Sequence, residues 1–456
     1  MEINKYIIKE TDTLKNALKK IDLNHKGFIL GVNDKNQVVG LATDGDIRRY
    51  LLKGRDLNDP VKKCMNKNFF YEAVGSSREN ILKKFDDEIS FLPLLNKGKQ
   101  LVDVISKYDF PISKENTIFS RARSPVRISF GGGGSDLTKY FLSSPGAVIN
   151  VTISLFSHAI LKLRNDKKIF IKSDDLKKNF YAENLEKAIS SKDNNFGLIL
   201  SLIKLINPKH GFELHIYSDY PMSSGLGGSA AVSASILGCF NQFKTDKWTR
   251  HELSELAFQA ERLYLGIAGG WQDQYATIFG GLNFIEFESK QNIIHPLRID
   301  KEIINELEES LILCDTGKGH DSGEIHEDQR SMLNNKSIKS FISENVELCY
   351  QIRNFLLRGN LIEFGQSLDK SWKLKRKFSS KISNDYLDEI YEGCLVNGAI
   401  GGKLLGAGGG GFFLFFVPPF KRIEFVRYLT KKNLKIRSFK FDDQGLLSWN
   451  VRENLN

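Results

Sequence analysis

The feature that most restricts what this chain can fold into is a glycine- and serine-rich loop, PMSSGLGGSAA, at Pro221 to Ala231. The preceding HIYSDY has strand character, and the following AAVSASILGCF is a run of small residues typical of a packed helix. Glycines expose backbone N–H groups, and a helix N-terminus carries a partial positive charge, so this order predicts a phosphate cradle. The Gly-Lys-Ser/Thr ending of a Walker A motif is missing. A glycine-rich helix entry without a ligand is the alternative.

Two other segments are also rich in glycine. SPVRISFGGGGSDLTKY runs from a short predicted strand, Pro125 to Phe130, through four glycines to Asp136, whose carboxylate could accept hydrogen bonds from sugar hydroxyls. KLLGAGGGGFFLFFV places Gly408 to Gly411 directly before a strongly apolar predicted strand, Phe412 to Val417. The missing side chains let the backbone approach a ligand closely. Taken alone, each segment is equally typical of a flexible turn.

A fourth segment, ELAFQAERLYLGIAGGWQDQYATIFGG, contributes two acids. Glu261 lies near the end of a predicted helix and Asp273 follows a glycine-rich turn, so the two carboxylates can converge on one pocket. A buried carboxylate is costly unless it is paired or binds a metal, which leaves catalysis and structural salt bridges both open. The apolar stripe of the predicted helix consists of Leu253, Leu256, Ala257, Ala260, Leu263 and Tyr264.

Length and composition restrict the class of protein. At 456 residues with 41% hydrophobic residues, the chain is long enough for about two to four globular domains. No apolar run reaches the ~20 residues that cross a bilayer, and MEINKYIIKETD lacks a signal-peptide core, so we expect a cytoplasmic protein without a membrane partner. The five scattered cysteines indicate reduced thiols.

The net charge of +10 does not by itself identify a partner. Lysines are spread along the chain, and no helix-turn-helix, zinc-finger or RNA-binding signature is present, so we expect no nucleic-acid partner. A mild basic excess also suits an enzyme that handles phosphorylated anions.

Residues 1 to about 112 contain one pattern twice. DTLKNALKKI, GFILGVND and QVVGLATDGDIRRYL are followed by ENILKKF, ISFLPLLN and KQLVDVISKYDF, which predicts a tandem α/β unit. This module resembles a pair of CBS motifs. In that family, a hydroxyl residue and an acid three positions later hold an adenine nucleotide, and Thr43 with Asp46 and Ser106 with Asp109 match. Helix N-capping by Thr43 and Ser106 explains the same pattern. CBS pairs also serve to dimerise, so a homodimer is a further open alternative.

The four segments together resemble the GHMP kinase superfamily over residues 120–456. SPVRISFGGGGSD, PMSSGLGGSAA and KLLGAGGGGF match its three motifs in the right order. The resemblance implies an α+β fold: a two-lobed GHMP kinase with a left-handed βαβ unit in the N-terminal lobe and a ferredoxin-like C-terminal lobe, preceded by the α/β CBS pair. The active site is expected between the lobes. The expected boundaries are 1–112 for the CBS pair, 113–124 for a linker, 125–288 for the N-terminal lobe and 289–456 for the C-terminal lobe.

The resemblance also implies roles for single residues. Ser229 and Glu261 are expected to bind Mg²⁺, Asp273 to face the acceptor hydroxyl as base or orienter, and Arg127 to lie beside Asp273. Gly228 departs from the family pattern, where many members have a first serine, and a wider loop near the phosphates is expected. The residues expected to bind ATP are Pro221, Ser223, Ser224, Gly225, Leu226, Gly227, Gly228, Ser229 and Ala230. Those expected to bind substrate are Gly133, Gly134, Ser135, Asp136, Gly409, Gly410 and Lys375.

Longer stretches narrow the expected substrate. RISFGGGGSDLTKYF, AERLYLGIAGGWQDQYATIFGGLNFIEF, SWKLKRKFSSKISN and GGKLLGAGGGGFFLFF look like the D-glycero-D-manno-heptose 7-phosphate kinases. These phosphorylate the anomeric C1 hydroxyl of a sugar phosphate to give the 1,7-bisphosphate, on the way to nucleotide-activated heptose for surface polysaccharides. A 7-phosphate needs a basic receptor. The candidates are Lys373, Lys375, Arg376, Lys377, Arg121 and Arg123.

Other functions stay open. The L-fucose kinase branch is the next closest match, and a free sugar would need no basic receptor. A non-catalytic sugar or nucleotide sensor on a kinase fold, or a regulatory protein whose main output is the CBS module, would belong to another class. The segment Cys314 to Gln329 is expected to form a mobile loop over the active site, and a plain surface loop is the alternative.

Overall fold

The computed structural model describes residues 3–85, 89–107, 119–317, 325, 328 and 336–452. The chain divides into two compact units, Met1–Glu115 and Asn116–Asn456. Asp109 and most of the expected loop at Cys314 to Gln329 lie outside the described residues.

The first unit contains two three-stranded sheets that are built alike. In each sheet, the first strand is parallel to the second, and the second is antiparallel to the third with a shift of register near its end. This confirms the internal repeat predicted from the sequence. The strands are β1 (Ile7–Lys9), β2 (Phe28–Val32) and β3 (Val38–Thr43) in the first half, and β4 (Glu72–Ala73), β5 (Phe91–Leu95) and β6 (Leu101–Ser106) in the second. The helices are α1 (Leu14–Asn24), α2 (Asp44–Leu51) and α3 (Arg78–Leu82).

The two halves of this unit hold each other by matching contacts. The amide of Gln37 donates to the carbonyl of Gly98 at 3.2 Å, and the amide of Gln100 donates to the carbonyl of Lys35 at 3.3 Å. These residues lie in the equivalent hairpin turns, so the contact is nearly symmetric. One apolar cluster draws its members from both sheets: Phe28, Leu30, Val32, Val38, Leu95, Leu101 and Val104.

The second unit begins with the N-terminal lobe, which is built on an eight-stranded sheet. The path β10–β9–β11–β8–β12–β13 is extended by β7, which pairs with β8 and β18. The central strand β8 is buried on both faces over 146–153 and alternates thereafter, as expected for a strand that leaves the core. The strands are β7 (Phe119–Gly131), β8 (Gly146–Leu163), β9 (Ile169–Ser173), β10 (Lys178–Ala182), β11 (Phe212–Ser218), β12 (Leu282–Phe287), β13 (Asn292–Pro296) and β18 (Leu447–Val451).

The helices of this lobe include one that packs on the central strands of the sheet. The long helix α7 packs on β7 and β8, and it confirms the predicted helix of small residues. The helices are α4 (Thr138–Phe141), α5 (Leu185–Ile189), α6 (Gly197–Ile206), α7 (Gly228–Asn241), α8 (Arg250–Phe258) and α9 (Gln272–Phe279). A π-helical turn, Gln259–Tyr264, follows α8 directly.

Three predicted boundaries differ from the structure. The predicted linker 113–124 overlaps β7, which starts at Phe119 because its first residues pair with β18. The N-terminal lobe extends beyond 288, since β13 pairs with β12 as a hairpin. The last strand, β18, returns from the C-terminal segment to the sheet of the first lobe, so 289–456 is not a single lobe.

The C-terminal lobe has a four-stranded antiparallel sheet of order β15–β16–β14–β17. In chain order this is 2-3-1-4, with helices between the first two and the last two strands, which is the predicted ferredoxin-like arrangement. The strands are β14 (Leu311–Asp315), β15 (Gly401–Leu404), β16 (Phe412–Phe416) and β17 (Lys435–Arg437). The helices are α10 (Lys301–Ser310), α11 (Lys336–Arg358), α12 (Leu361–Arg376), α13 (Asp385–Val396) and α14 (Arg422–Lys431).

The two lobes share one apolar core. Helix α11 packs on β7 and β8 of the first lobe, and α12 packs on β15 of the second. Phe130 at the end of β7 meets Phe364 of α12 edge to face, with ring centroids 5.0 Å apart. The α+β class and the two-lobed fold are therefore confirmed, while the hand of the predicted βαβ unit stays a prediction.

The remaining bulk expectations concern membranes and thiols. Across the described ranges, the structure has no helix that is both long and apolar enough to cross a bilayer. All five cysteines are free thiols, and burial raises the pKa of Cys64 to about 11 and that of Cys239 to about 12. These thiols are therefore neutral at physiological pH, as expected for structural cysteines.

Candidate active site

The glycine-rich loop between β11 and α7 packs backbone to backbone against the loop that follows β15. A Cβ on Gly225 would lie 2.7 Å from the carbonyl oxygen of Leu405, and a Cβ on Gly406 would lie 2.5 Å from the Cα of Gly225. Only glycine permits this approach. Helix α7 then starts at Gly228 without a side-chain cap on its first N–H groups, which leaves them facing the loop.

An ion pair connects strand β7 to the first turn of helix α9. Arg127 on β7 donates from Nε to the Oδ1 of Asp273 at 2.8 Å, and its Nη2 lies 2.6 Å from the same oxygen. Its Nη1 donates to the carbonyl of Gly225 at 2.8 Å. The guanidinium therefore fixes Asp273 at the N-terminus of α9. Asp273 lies beside the glycine-rich loop Pro221 to Ala231, which we call the phosphate loop.

A second carboxylate faces the start of α7. Glu261 is 3% exposed, accepts from the hydroxyl of Ser229 at 2.5 Å and accepts from the amide of Gln274 at 2.8 Å. Glu261 lies in the π-helical turn, and such turns are frequent at functional sites. The changed helical register breaks the predicted apolar stripe, because Leu263 and Tyr264 are exposed while Glu261 points inward.

Two adjoining cavities meet at the Arg127–Asp273 pair. The larger, of about 730 Å³, is lined by the phosphate loop, Glu261 and an apolar end that includes Leu176, Leu198 and Val232. The smaller, of about 50 Å³, lies between the lobes and is lined by residues of both. Arg127, Asp273, Arg262 and Gly406 line both cavities. This is the layout needed to pass a group from one bound molecule to another.

Comparison with known proteins agrees with this layout. Residues 196–281 match the GHMP kinases N terminal domain, residues 352–435 match the GHMP kinases C terminal domain, and residues 1–53 match the CBS domain. The chain is 35% identical over 337 residues to the D-glycero-alpha-D-manno-heptose 7-phosphate kinase of Campylobacter jejuni, covering 73% of this chain and 99% of that protein. This chain belongs to the GHMP kinase superfamily. It is accordingly an ATP-dependent sugar kinase with an N-terminal CBS domain.

Two further relatives show the spread of this GHMP branch. The crystal structure of a D-glycero-D-manno-heptose 1-phosphate kinase from Bacteroides thetaiotaomicron has a TM-score of 0.61 and 29% identity, over 73% of this chain and 99% of that one. A bifunctional fucokinase/GDP-fucose pyrophosphorylase of Arabidopsis thaliana is 26% identical, over 75% of this chain and 34% of that protein.

The departure at Gly228 from the usual GHMP motif has a steric cause. A Cβ at this position would lie 2.7 Å from the ring of Tyr220, whose hydroxyl donates to the carbonyl of Gly228 at 3.1 Å. The tyrosine ring is 7% exposed. The expectation of a wider loop is therefore wrong, because Tyr220 fills the space that a serine would need.

The residues expected around the substrate fall into two groups. Gly133, Gly134 and Asp136 line the smaller cavity, and Asp136 accepts from the backbone N–H groups of Gly134 and Gln272 at 3.1 and 3.2 Å. Burial, and then the nearby charge of Asp273, raises the pKa of Asp136. Ser135 does not line the cavity, since its hydroxyl donates to the carbonyl of Gly132 and ties the turn to β8.

The third glycine-rich motif contributes different residues than expected. Gly409 and Gly410 line neither cavity, and the N–H of Gly409 is used by the carbonyl of Ile382 at 2.8 Å. Leu405 and Gly406 of the same motif line the smaller cavity instead. The predicted substrate contacts at Gly409 and Gly410 stay predictions.

Most of the residues expected to bind ATP line the larger cavity, and their contacts with the nucleotide stay predictions. Leu226 and Ala230 are fully buried and line neither cavity, so their role is to pack the loop and helix. The others expected to contact ATP all line the larger cavity: Pro221, Ser223, Ser224, Gly225, Gly227, Gly228 and Ser229.

Among the basic candidates for a substrate phosphate, only Lys375 lines the smaller cavity. Lys373 on the same helix pairs with Asp369 at 2.8 Å, and Arg376 pairs with Asp388 at 2.6 Å. The other three candidates lie against aromatic rings: Lys377 over Phe341, Arg121 over Phe119 and Arg123 over Phe156.

Several residues of the cavities were missed from sequence, among them Lys403, Arg262 and Gln272. Lys403 and Lys375 are buried and donate to backbone carbonyls, Lys403 to that of Phe130 at 3.3 Å and Lys375 to that of Leu404 at 3.5 Å. Each adjoins a predicted motif, Lys403 in KLLGAGGGGF, Arg262 after Glu261 and Gln272 before Asp273. That adjacency was the one available signal, and it does not reveal which way a side chain points.

The expected nucleotide contacts of the CBS domain adopt a capping arrangement. Thr43 and Asp46 form a capping box at the start of α2, and the second oxygen of Asp46 pairs with Arg49 at 2.6 Å. Ser106 ends β6, and its partner Asp109 lies outside the described residues. Nucleotide binding at these positions stays a prediction, and the capping alternative explains the first pair.

The contact between Tyr220 and Gly228 gives a testable prediction. We expect Gly228→Ser to lower the free energy of unfolding by about 1–3 kcal/mol, because the new side chain overpacks against the tyrosine ring. In a Tyr220→Ala background the same serine should cost clearly less. Chemical denaturation of the wild type, both single variants and the double variant measures this coupling. Additive effects of the two substitutions would contradict it.

Proposed function

We propose that this kinase transfers the γ-phosphate of ATP to the anomeric C1 hydroxyl of D-glycero-D-manno-heptose 7-phosphate, giving the 1,7-bisphosphate. The observation that carries the proposal is the charge of the smaller cavity. Four basic side chains and two acidic ones line it among the described residues: Arg127, Arg262, Lys375 and Lys403 against Asp136 and Asp273.

The two lysines of this cavity lack carboxylate partners. Within the described part of the chain, Lys375 and Lys403 donate to backbone carbonyls and form no ion pair. A buried cation without a counter-ion is costly. Burial, and then the neighbouring charges of Lys403 and Arg127, lowers the pKa of Lys375 well below its usual value. An incoming phosphate would supply the missing negative charge, so the cavity suits a sugar that already carries one.

The same cavity suits a polyhydroxylated ligand. The hydroxyl of Ser129 and the side-chain oxygen of Gln272 are buried in its wall without a hydrogen-bond partner among the described residues. Such groups cost free energy unless a ligand satisfies them. Since about 50 Å³ is small for a sugar phosphate, we expect the cavity wall to move apart when the substrate enters.

The residues at the junction supply the chemistry of transfer. Asp273 lines both cavities, and its carboxylate is held by direct pairing with Arg127. We assign Asp273 as the base or orienter of the hydroxyl, and Arg127 as the residue that holds it. The exposed N–H groups at the start of α7 and the loop glycines bind the phosphates of ATP.

Ser229 and Glu261 fit a magnesium ion by their donor chemistry. A hydroxyl and a carboxylate oxygen 2.5 Å apart face the larger cavity, and Mg²⁺ takes one or two protein oxygens beside phosphate and water. In the described ranges no cluster of three metal-binding side chains competes with this pair. The ion would neutralise charge on the ATP phosphates, while Gln274 orients the carboxylate.

The relatives differ in the sugar for which they are named. The Campylobacter jejuni protein is named for heptose 7-phosphate and the Bacteroides thetaiotaomicron protein for heptose 1-phosphate, while the Arabidopsis thaliana protein is named for fucose. A free-sugar 1-kinase of the fucose type is the second candidate. The unpaired lysines favour the phosphorylated sugar. A non-catalytic sensor is disfavoured because Ser229, Glu261 and Asp273 all line the larger cavity.

A substrate panel tests the proposal directly. With Mg-ATP, we expect kcat/KM for heptose 7-phosphate to exceed that for free heptose or L-fucose by at least about 100-fold, since a site built to pair a charge rejects analogues that lack it. Phosphorus NMR of the product should show the new phosphate on C1. Faster turnover of a free sugar would overturn the heptose-phosphate assignment and leave the kinase assignment in place.

Two lysines on one helix provide a matched pair of variants. We expect Lys375→Met to raise KM for the sugar phosphate about 10- to 100-fold, the effect of losing a hydrogen bond to a charged group. Lys373→Met, two residues away on the outside of α12, should change KM by less than about twofold. Equal effects of both substitutions in steady-state kinetics would argue against a phosphate receptor at Lys375.

The pH dependence of substrate binding gives a further prediction. Burial lowers the pKa of Lys403 to about 8; Cys349 opposes this shift, and Arg127 and the neighbouring Lys375 are the cations nearby. Lys403 is therefore charged below about pH 8 and loses its proton above it. Binding of a dianionic phosphate should weaken as the pH rises from 7 to 9, because the enzyme must take up a proton to bind.

Calorimetric titration in buffers of different ionisation enthalpy measures this proton uptake. Lys403→Met should bind more weakly and show a flatter profile over the same range. A wild-type affinity that stays constant to pH 9, or a profile that the substitution leaves unchanged, would exclude Lys403 from the receptor.

A further inference from the structure

One arginine at the junction has so far been counted only among the basic side chains that line the smaller cavity. Arg262 lines both cavities, and its side chain is 10% exposed. It follows Glu261 in the π-helical turn, so the same change of helical register that turns the carboxylate inward also turns the guanidinium toward the junction.

The chain after the π-helical turn is shaped around this guanidinium. Nη1 of Arg262 donates to the carbonyls of Ile267 and Ala268 at 3.4 and 3.2 Å. A Cβ on Gly269 would lie 2.3 Å from the guanidinium carbon, so a side chain there would require the guanidinium to move. The loop therefore holds the arginine in place from one side and leaves its other side to the cavities.

The hydrogen bonding of Arg262 is incomplete, in contrast to that of Arg127. Nε of Arg262 is buried without a partner among the described residues. Its ion pair with Glu261 measures 3.4 Å, longer than the 2.7–2.9 Å usual for charged hydrogen bonds. Arg127, by comparison, is engaged by Asp273 and by the carbonyl of Gly225. Of these two arginines, Arg262 is the one with bonding capacity left over.

We propose that Arg262 is a catalytic residue that contacts the phosphoryl group during transfer. The junction of the two cavities is where the γ-phosphate of ATP meets the acceptor hydroxyl. There the oxygen–phosphorus bond to the sugar forms, and the bond to the β,γ-bridging oxygen breaks and leaves its electron pair on ADP. The hydroxyl proton passes to Asp273. Negative charge on the equatorial phosphoryl oxygens needs a fixed cation, and Arg262 supplies it in a buried setting.

The proposal rests on kinase chemistry and not on the identity of the sugar. The test therefore uses whichever acceptor the wild type phosphorylates most rapidly, so that failure of the heptose assignment leaves the test valid. Arg262→Ala should lower kcat at least about 100-fold, while the Kd for ATP changes by less than about threefold. Added guanidinium should restore part of the lost rate in this variant.

The matched control is Arg164→Ala, which removes an exposed arginine paired with Asp166. This variant should keep its rate and gain nothing from guanidinium. Arg262→Lys keeps the charge without the planar fork, and we expect a loss of at least about tenfold in kcat with both KM values nearly unchanged. It supplies the same test if the alanine variant does not fold, as judged by thermal melting.

Two results would overturn the proposal. One is a folded Arg262→Ala enzyme with kcat within about threefold of the wild type. The other is a loss of rate that guanidinium does not restore and that accompanies an equal loss of ATP affinity, which would indicate that Arg262 only shapes the nucleotide cavity.

Discussion

The active site depends on one close approach of two backbones. Gly225 and Gly406 lie where a side chain on either would meet main-chain atoms of the other loop. The contact joins the loop of the N-terminal lobe to that of the C-terminal lobe, and the carbonyl of Gly225 also accepts from Arg127. This contact thus positions three parts of the site relative to one another: the start of α7, the ion pair of Arg127 with Asp273, and the lysines of the second lobe.

Charge balance is the second constraint. The carboxylates of the site have partners within the protein. Asp273 pairs with Arg127, and the buried Glu261 accepts from Ser229 and Gln274. The buried Asp136 accepts from two backbone N–H groups. The lysines Lys375 and Lys403 are left without acids. Burial of an uncompensated cation reduces stability, and the same burial lowers the pKa of Lys403. A protein keeps such a cavity when a ligand returns the charge. The nucleotide and the sugar phosphate are both anions. The excess positive charge of the two lysines therefore lies where we expect the phosphates to bind.

How much of this was predictable from the sequence follows from what each motif encodes. The glycine runs, the small-residue helix and the acids Glu261 and Asp273 are local signals, and the structure places them together. Local patterns cannot say which groups are already satisfied. Ser135 and Gly409 occupy motif positions, yet their hydrogen bonds go to Gly132, Ala147 and Ile382, so they serve the fold. Arg262 was missed because it lies in a π-helical turn, where the periodicity of a regular helix does not tell which way a side chain points.

The CBS domain shows the same difficulty in another form. A hydroxyl residue followed three positions later by an acid describes both a capping box and a nucleotide contact, because both use the oxygens of the first helical turn. In the structure Thr43 caps α2, and the two oxygens of Asp46 are engaged by Thr43 and Arg49. Each carboxylate oxygen can accept more than one hydrogen bond, and the pairing with Arg49 is on the surface and therefore weak. The capping box and a ligand site are thus compatible in structure as well as in sequence, and the residue pattern does not distinguish them.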